Sequence, residues 1–416
     1  MKSVHGEYAS RRDFYIEKAG KEMPFAAEET ESNDESLSAE ERESCERINR
    51  ITIEASAIEP TALPAVRLHL FNFLWRNPKA DDHELREEMN RMARLSRQER
   101  EFAEEDNPLP TIGIEIEVPQ RILTRHTVKI LDELSIPNYE EGDLWEVNAD
   151  FSYSPWVQAR ILQELAAMGA IPLKGAQKGN LGRVPEDVQL SLHINFGLPS
   201  GITAEEAFRF RNQIALINDV ITYAFVSPQR IEQRKTDNAV LLKADARENK
   251  KANKKTIKDP SLDDTYDGGY MIESAPKNFT GITRLELRAN EFRDFPTYRL
   301  LVESQRLVAI LFSHMKTQSD FQITPAEQRL VALWNELRME IEGYLDFYNL
   351  RPGAADKDRM TVAFTIRETN LKRDARKIVD TYARKVGEIL RGEGDVEYGE
   401  MEPWQDAPPQ QEALQM

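Results

Sequence analysis

The segment Thr111-Ile-Gly-Ile-Glu-Ile-Glu-Val118 alternates apolar and acidic residues. As a β-strand it turns Glu115 and Glu117 to one face and its isoleucines to the other. Two carboxylates on one face of a strand that otherwise has a core pattern are costly unless cations neutralise them. Those cations are either basic side chains or hard metal ions such as Mg²⁺. An edge strand whose glutamates face water is the alternative interpretation.

The composition bounds the class of protein. The chain has 416 residues, 40% hydrophobic and 31% charged, which is enough for two or three domains with a buried core. A net charge of −17 argues against a general nucleic-acid binder. The single cysteine, Cys45, excludes a disulfide framework or a cysteine metal cluster within one chain. No apolar run has membrane-spanning length and the start has no apolar signal core, so we expect a cytoplasmic protein without a membrane partner.

Changes in composition divide the chain. Residues 28–46 carry nine acidic residues and one basic one, which is typical of a solvated tail. Asn107-Pro-Leu-Pro110 interrupts a charged helical pattern directly before the Glu-x-Glu strand. We therefore predict an acidic, mostly disordered tail over residues 1–59, a helical N-terminal segment over 60–108, an α+β core over 109–318, a helical C-terminal extension over 319–391, and a disordered acidic tail over 392–416.

Helices and alternating strands are mixed within the core. Ser154-Pro155 predicts a helix start, and capping boxes at Thr203–Glu206 and Thr324–Glu327 predict two more. The strands alternate rather than being continuously apolar, which favours an antiparallel sheet. The predicted fold class is α+β, with an antiparallel sheet covered by helices on one face and open on the other.

Three further strand segments place polar groups on one face. Residues 189–196 put His193 and Asn195 together, residues 283–288 alternate charged groups with leucines, and residues 144–148 turn Glu146 away from their apolar neighbours. Each segment also has a plain interpretation, such as a structural histidine, a salt-bridge ladder or a solvent-facing glutamate. If all four strands share one sheet, the groups that converge on its open face are Glu115, Glu117, Glu146, His193, Glu286 and Arg288.

The chemistry of this set favours a hard cation. Carboxylates with one histidine and no thiolate suit Mg²⁺ or Mn²⁺ better than Zn²⁺. An arginine beside them suits phosphate, which a guanidinium can hold with two parallel hydrogen bonds.

Three motifs carry a family resemblance. Gly113-Ile-Glu-Ile-Glu117, Leu192-His-Ile-Asn195 and Arg284-Leu-Glu-Leu-Arg288, in this order, resemble the sheet motifs of the carboxylate–amine ligase superfamily. That superfamily includes glutamine synthetase, glutamate–cysteine ligase and the amidoligases, and the similarity is closest to the amidoligase branch. It covers about residues 110–315 and implies a glutamine synthetase-like catalytic core flanked by all-helical segments.

The resemblance also implies roles for individual residues. Glu115, His193 and Glu286 would hold one divalent metal. Glu117 would hold the other and is a candidate catalytic carboxylate, with Glu146 as a further ligand. Arg284 and Arg288 would bind the nucleotide, and Arg288 would also face the reacting phosphoryl group. The implied cofactors are ATP and Mg²⁺ or Mn²⁺.

The implied reaction is ATP-dependent amide formation between an amine and a small-molecule or peptide carboxylate, through an acyl phosphate. The basic segment Gln233–Asp264, which includes Lys243, could cover the nucleotide and exclude water, although a solvated surface loop has the same composition. The resemblance leaves open a homo-oligomer with shared sites.

Two other hypotheses remain. The first is a non-catalytic, nucleotide-binding or scaffolding protein of the same fold that acts through its acidic tails and helical extensions. The second is an interaction protein that uses the basic residues from Lys243 to Lys258 to bind an acidic or nucleic-acid partner. A ligase requires a complete metal site, whereas a scaffold could lose ligands without consequence.

Overall fold

The computed structural model describes most of the helices and strands of the chain. The described residues are 37–55, 60–101, 108–120, 123–141, 144–168, 191–199, 210–226, 265–267, 270–273, 284–290, 297–319, 321–350 and 357–391, together with 58, 170, 202 and 206. Most of the predicted capping box at Thr203–Glu206 and the basic segment with Lys243 lie outside them.

The strands of the described chain form one open antiparallel sheet. They are β1 (Ile112–Pro119), β2 (Asn138–Glu141), β3 (Leu144–Ser152), β4 (Ser191–Gly197), β5 (Thr265–Asp267), β6 (Tyr270–Glu273) and β7 (Arg284–Asn290). Their order across the sheet is β2-β3-β1-β4-β7-β6-β5. The expectation that the four polar-faced strands share one sheet is confirmed, because β3, β1, β4 and β7 are consecutive neighbours.

The described part of the chain also contains α-helices. They are α1 (Ala39–Glu54), α2 (Leu63–Arg76), α3 (Asp82–Glu101), α4 (Arg125–Glu133), α5 (Pro155–Ala167), α6 (Arg211–Phe225), α7 (Thr297–Gln318), α8 (Pro325–Phe347) and α9 (Lys357–Arg391). The predicted helix starts at Ser154 and Thr324 are confirmed, since both side chains accept a backbone N–H as N-caps. None of these helices is long and apolar enough to cross a lipid bilayer.

The apolar face of the sheet is buried. On β1, Ile112, Ile114, Ile116 and Val118 are at most 1% exposed. Helix α5 contacts β1 and β3, and α6 contacts β7. The predicted mixture of helices with an antiparallel sheet is confirmed, and the alternation that predicted it places the carboxylates of β1 on the opposite face.

Within residues 1–59, predicted as an acidic and mostly disordered tail, the structure describes one ordered helix, α1. Residues 37–55 are ordered, and Cys45, Ile48 and Ile51 are at most 1% exposed. These side chains recur every three residues and form one apolar stripe, and α1 contacts α2, α3 and α4. The high acidic content concealed this stripe, because the glutamates occupy the remaining faces of an amphipathic helix.

The N-terminal helices meet the core helix α5 through a buried ionic network. Nδ1 of His69 lies 2.8 Å from Oε1 of Glu164, and Nε2 lies 2.5 Å from Oε1 of Glu88. Asn72 and Arg160 also contact the Glu164 carboxylate. His69 therefore joins α2, α3 and α5.

The C-terminal helices pack on the same body. Helix α9 contacts α6, α7 and α8. Lys372 and Arg376 of α9 donate hydrogen bonds to the carbonyls of Val226 and Ala224, at 3.2 Å and 2.9 Å. Basic side chains thus satisfy carbonyl groups at the C-terminal end of α6, where the helix dipole favours positive charge.

Candidate metal centre

Strand register brings the three predicted ligands of one metal together. Glu115 of β1 is directly opposite His193 of β4, and Asn195 of β4 is directly opposite Glu286 of β7. Residues directly opposite each other in antiparallel strands project to the same face. Glu115, His193 and Glu286 therefore share the polar face of three neighbouring strands, although 171 residues of sequence separate the first from the last.

The side chains of this trio converge on one point. Nδ1 of His193 lies 3.2 Å from Oε2 of Glu115 and 3.0 Å from Oε1 of Glu286. One ligand atom from each residue lies within 4.8 Å of the other two. The side chains are 11%, 2% and 0% exposed for Glu115, His193 and Glu286. Two carboxylate oxygens and one imidazole nitrogen in this arrangement could hold a divalent cation.

Glu117 lies on the other side of the imidazole. Its Oε2 is 3.5 Å from Nε2 of His193, and its side chain is 15% exposed. When Nδ1 of a histidine binds a metal, its other ring N–H is commonly held by a carboxylate, which fixes the ring orientation. Glu117 is placed to accept that hydrogen bond from His193.

Glu146 adds a further carboxylate to this cluster from the neighbouring strand β3. It is directly opposite Glu117, and the residue is 3% exposed. Burial and the charges of Glu115 and Glu117 raise the pKa of Glu146 to about 7, although hydrogen bonds with Tyr139 and Asn148 lower it. Its Oε1 is buried without a hydrogen-bond partner among the described residues. The solvent-facing interpretation of Glu146 is therefore wrong.

Arg284 lies beside the trio and contacts its carboxylates. Nη1 is 2.5 Å from Oε1 of Glu115, and Nη2 is 3.8 Å from Oε2 of Glu286. Its side chain is 24% exposed. The guanidinium therefore neutralises acidic charge within the cluster.

The electrostatics of the site centre on His193. Burial by itself lowers the pKa of this imidazole, but hydrogen bonds with Glu115 and Glu286 and the charge of Glu117 raise it to about 9. Burial likewise raises the pKa of Glu115, yet His193 and Arg284 hold it below its usual value. In the absence of a metal, the positive charge among the carboxylates is carried by a protonated His193 and by Arg284.

The structure therefore brings together six of the predicted site residues, namely Glu115, Glu117, Glu146, His193, Arg284 and Glu286. Arg288 belongs to β7 by its backbone, but its side chain is outside the described residues, as is Lys243. Their predicted roles stay predictions.

Sequence reasoning missed Tyr139, which lies opposite Glu146. Its strand has four residues and little apolar alternation, so no pattern marked it. Asn195, which the strand pattern placed on the polar face, has a buried Oδ1 without a hydrogen-bond partner among the described residues. Since it is opposite Glu286, this oxygen is a further candidate ligand atom.

Comparison with known proteins gave no match, either to a protein-family model or to a curated protein sequence. The geometry of this site and the motifs that form it are therefore what supports a function for the protein.

Proposed function

We propose that this protein is an ATP- and Mg²⁺-dependent carboxylate–amine ligase with a glutamine synthetase-like core. The observation that carries the proposal is the buried Glu115, His193 and Glu286 trio on the polar face of an open antiparallel sheet. The order of the three motifs along the chain and their positions on adjacent strands agree with the resemblance. The sequence motifs supply the link to ATP.

The proposal has two cation positions, and the trio is the one whose ligand atoms lie within 4.8 Å of one another. The first would use the trio, with Oδ1 of Asn195, directly opposite Glu286, as a further candidate ligand. The second would use Glu117 and Glu146, whose opposed carboxylates need positive charge between them. Divalent cations at such positions would neutralise the phosphoryl oxygens of ATP and orient them for transfer to a carboxylate substrate.

The side chains of Glu117 and Arg288 would supply the other catalytic functions. Glu117, oriented beside His193, is the candidate base that takes a proton from the attacking amine. Arg288 would stabilise the negative charge of the transferred phosphoryl group. The burial of the trio keeps water away from these charges, which strengthens each electrostatic interaction and protects the activated acyl group from hydrolysis.

The test measures metal and nucleotide binding separately. Glu115→Gln and Glu286→Gln each remove a ligand charge while keeping the side-chain shape, and Glu140→Gln on β2 is the matched control outside the trio. We expect both site variants to lose Mn²⁺ binding and Mn²⁺-dependent ATP binding, with thermal unfolding close to that of the wild type. The control should bind both ligands normally.

Release of phosphate from ATP, dependent on an added carboxylate and an amine, would establish the reaction class. Unchanged ATP affinity in both site variants would contradict the ligase proposal. Metal and ATP binding without any amine-dependent turnover, across a panel of carboxylates, would favour the non-catalytic alternative.

A further inference from the structure

Arg284 contacts two of the three candidate ligands at once. It precedes Glu286 by two residues on β7, so the two side chains share a face. Its guanidinium reaches Oε1 of Glu115 at 2.5 Å with one nitrogen and Oε2 of Glu286 at 3.8 Å with the other. The contact with Glu115 is a hydrogen bond and the contact with Glu286 is an ion pair. A planar guanidinium presents its nitrogens to two carboxylates in one fixed geometry, which an ammonium group does not.

Each of the two carboxylates has one oxygen facing Arg284 and the other facing His193. Oε2 of Glu115 and Oε1 of Glu286 face the imidazole, at 3.2 Å and 3.0 Å from Nδ1. The opposite oxygens, Oε1 of Glu115 and Oε2 of Glu286, face the guanidinium. The atoms that could bind a cation are therefore the ones that Arg284 leaves available.

The charges are consistent with Arg284 staying in place when a metal binds. The cluster contains four carboxylates, those of Glu115, Glu117, Glu146 and Glu286. With His193 neutral as a ligand, a single divalent cation among the trio leaves part of this buried negative charge unbalanced, and the guanidinium offsets it.

We propose that Arg284 is a positioning residue, which holds Glu115 and Glu286 by their outer oxygens so that their inner oxygens and Nδ1 of His193 converge on a divalent cation. The inference rests on the metal site of the proposed function, but not on ATP or on ligase activity. It assigns Arg284 to the carboxylates that hold the cation, and differs from its predicted role as a direct nucleotide ligand.

The experiment measures Mn²⁺ affinity in the absence of nucleotide, from the electron paramagnetic resonance signal of the free ion. We expect Arg284→Lys and Arg284→Gln to weaken binding by about 10- to 100-fold, the range for residues that orient metal ligands. The lysine variant keeps the charge but cannot hold two carboxylates, so it should resemble the glutamine variant. Arg299→Gln, which removes an arginine paired with Glu303 and Asp380 outside the site, is the control.

Chemical rescue separates positioning from a change in folding. Added guanidinium at millimolar concentration should restore much of the Mn²⁺ affinity of Arg284→Ala and leave the wild type unchanged. At saturating Mn²⁺, the ATP affinity of Arg284→Lys should equal that of the wild type.

Three outcomes would overturn the inference. Equal or tighter Mn²⁺ binding in the Arg284 variants would show that the guanidinium does not position the metal ligands. A loss of ATP affinity with unchanged Mn²⁺ affinity would assign Arg284 to the nucleotide. An absence of Mn²⁺ binding in the wild type would remove the metal site, and with it the proposed function, whereas normal Mn²⁺ binding without ATP binding would refute the ligase alone.

Discussion

Glu117 and Glu146 lie directly opposite each other on the neighbouring strands β1 and β3, with both side chains largely buried. Like charges in opposed positions of a sheet are destabilising. A cation between the two carboxylates would remove this cost, because an opposite charge nearby favours their ionised forms. The charge repulsion in the metal-free pair and its proposed role in metal binding predict opposite effects of one substitution. Stability should increase and metal affinity should decrease.

We expect Glu146→Gln to stabilise the metal-free protein at alkaline pH while weakening the binding of a second Mn²⁺ ion. The pKa of Glu146 is raised to about 7, so its destabilising effect is absent below the ordinary glutamate pKa and develops as pH rises through 7. At pH 8 the free energy of unfolding should increase by up to about 3 kcal/mol, with little change at pH 4. Denaturant unfolding at both values checks this, with Glu140→Gln as the control, and equal effects at both pH values would contradict it.

His193 makes metal affinity depend on pH. Its imidazole has a pKa of about 9 without metal and must lose its proton before Nδ1 can bind a cation. We expect the apparent Mn²⁺ affinity to rise by about tenfold per pH unit between pH 7 and 9 and then to level off. Calorimetric titrations in buffers of different ionisation enthalpy should record about one proton released per ion at pH 7.5. A flat pH profile would mean that the imidazole is not a ligand.

The carboxylate of Glu164 on α5 forms ionic and hydrogen-bond contacts with residues of the N-terminal helix α2. Burial by itself raises the pKa of this carboxyl, but His69, Arg160 and Asn72 lower it to about 2. Its stabilising contribution is therefore fully present above the ordinary glutamate pKa and is lost as pH falls through 2.

We expect Glu164→Gln to lower the free energy of unfolding at pH 7 by about 3 kcal/mol, and to reduce the loss of stability between pH 5 and pH 2. The change removes one member of a buried ionic network. Glu87→Gln, on the exposed surface of α3, is the control. Equal acid sensitivity of the wild type and the Glu164 variant in thermal unfolding would show that this network does not determine it.

Gly197 allows the close approach of β4 to the start of β1. A Cβ at this position would lie 2.3 Å from Oγ1 of Thr111, and the Gly197 N–H donates to the Thr111 carbonyl at 3.0 Å. We expect Gly197→Ala to destabilise the protein by about 1–3 kcal/mol through overpacking. Adding Thr111→Ala should recover most of this loss, because it removes the clashing oxygen. A double variant no more stable than Gly197→Ala would rule out this contact as the cause.

Local pattern accounts for the parts of the site that lie on single strands. The alternation around Glu115 and Glu117, around His193 and around Glu286 predicted which side chains share a face, because successive residues of a strand point to opposite sides. The two-residue period does not depend on neighbouring strands, so it could be deduced before the sheet was known. Composition, in contrast, was misleading for α1, where a high acidic content obscured the buried stripe through Cys45.

The sequence by itself determined the polar and apolar faces of the strands and the kinds of ligand they carry. The tertiary structure alone decided that β1, β4 and β7 are neighbours, that Glu146 is buried against Glu117, and that Arg284 contacts the carboxylates. The physical reason is that strand order and register depend on the packing of apolar faces between segments far apart in the chain. A local pattern defines a face, but the distances between ligand atoms arise from that long-range packing.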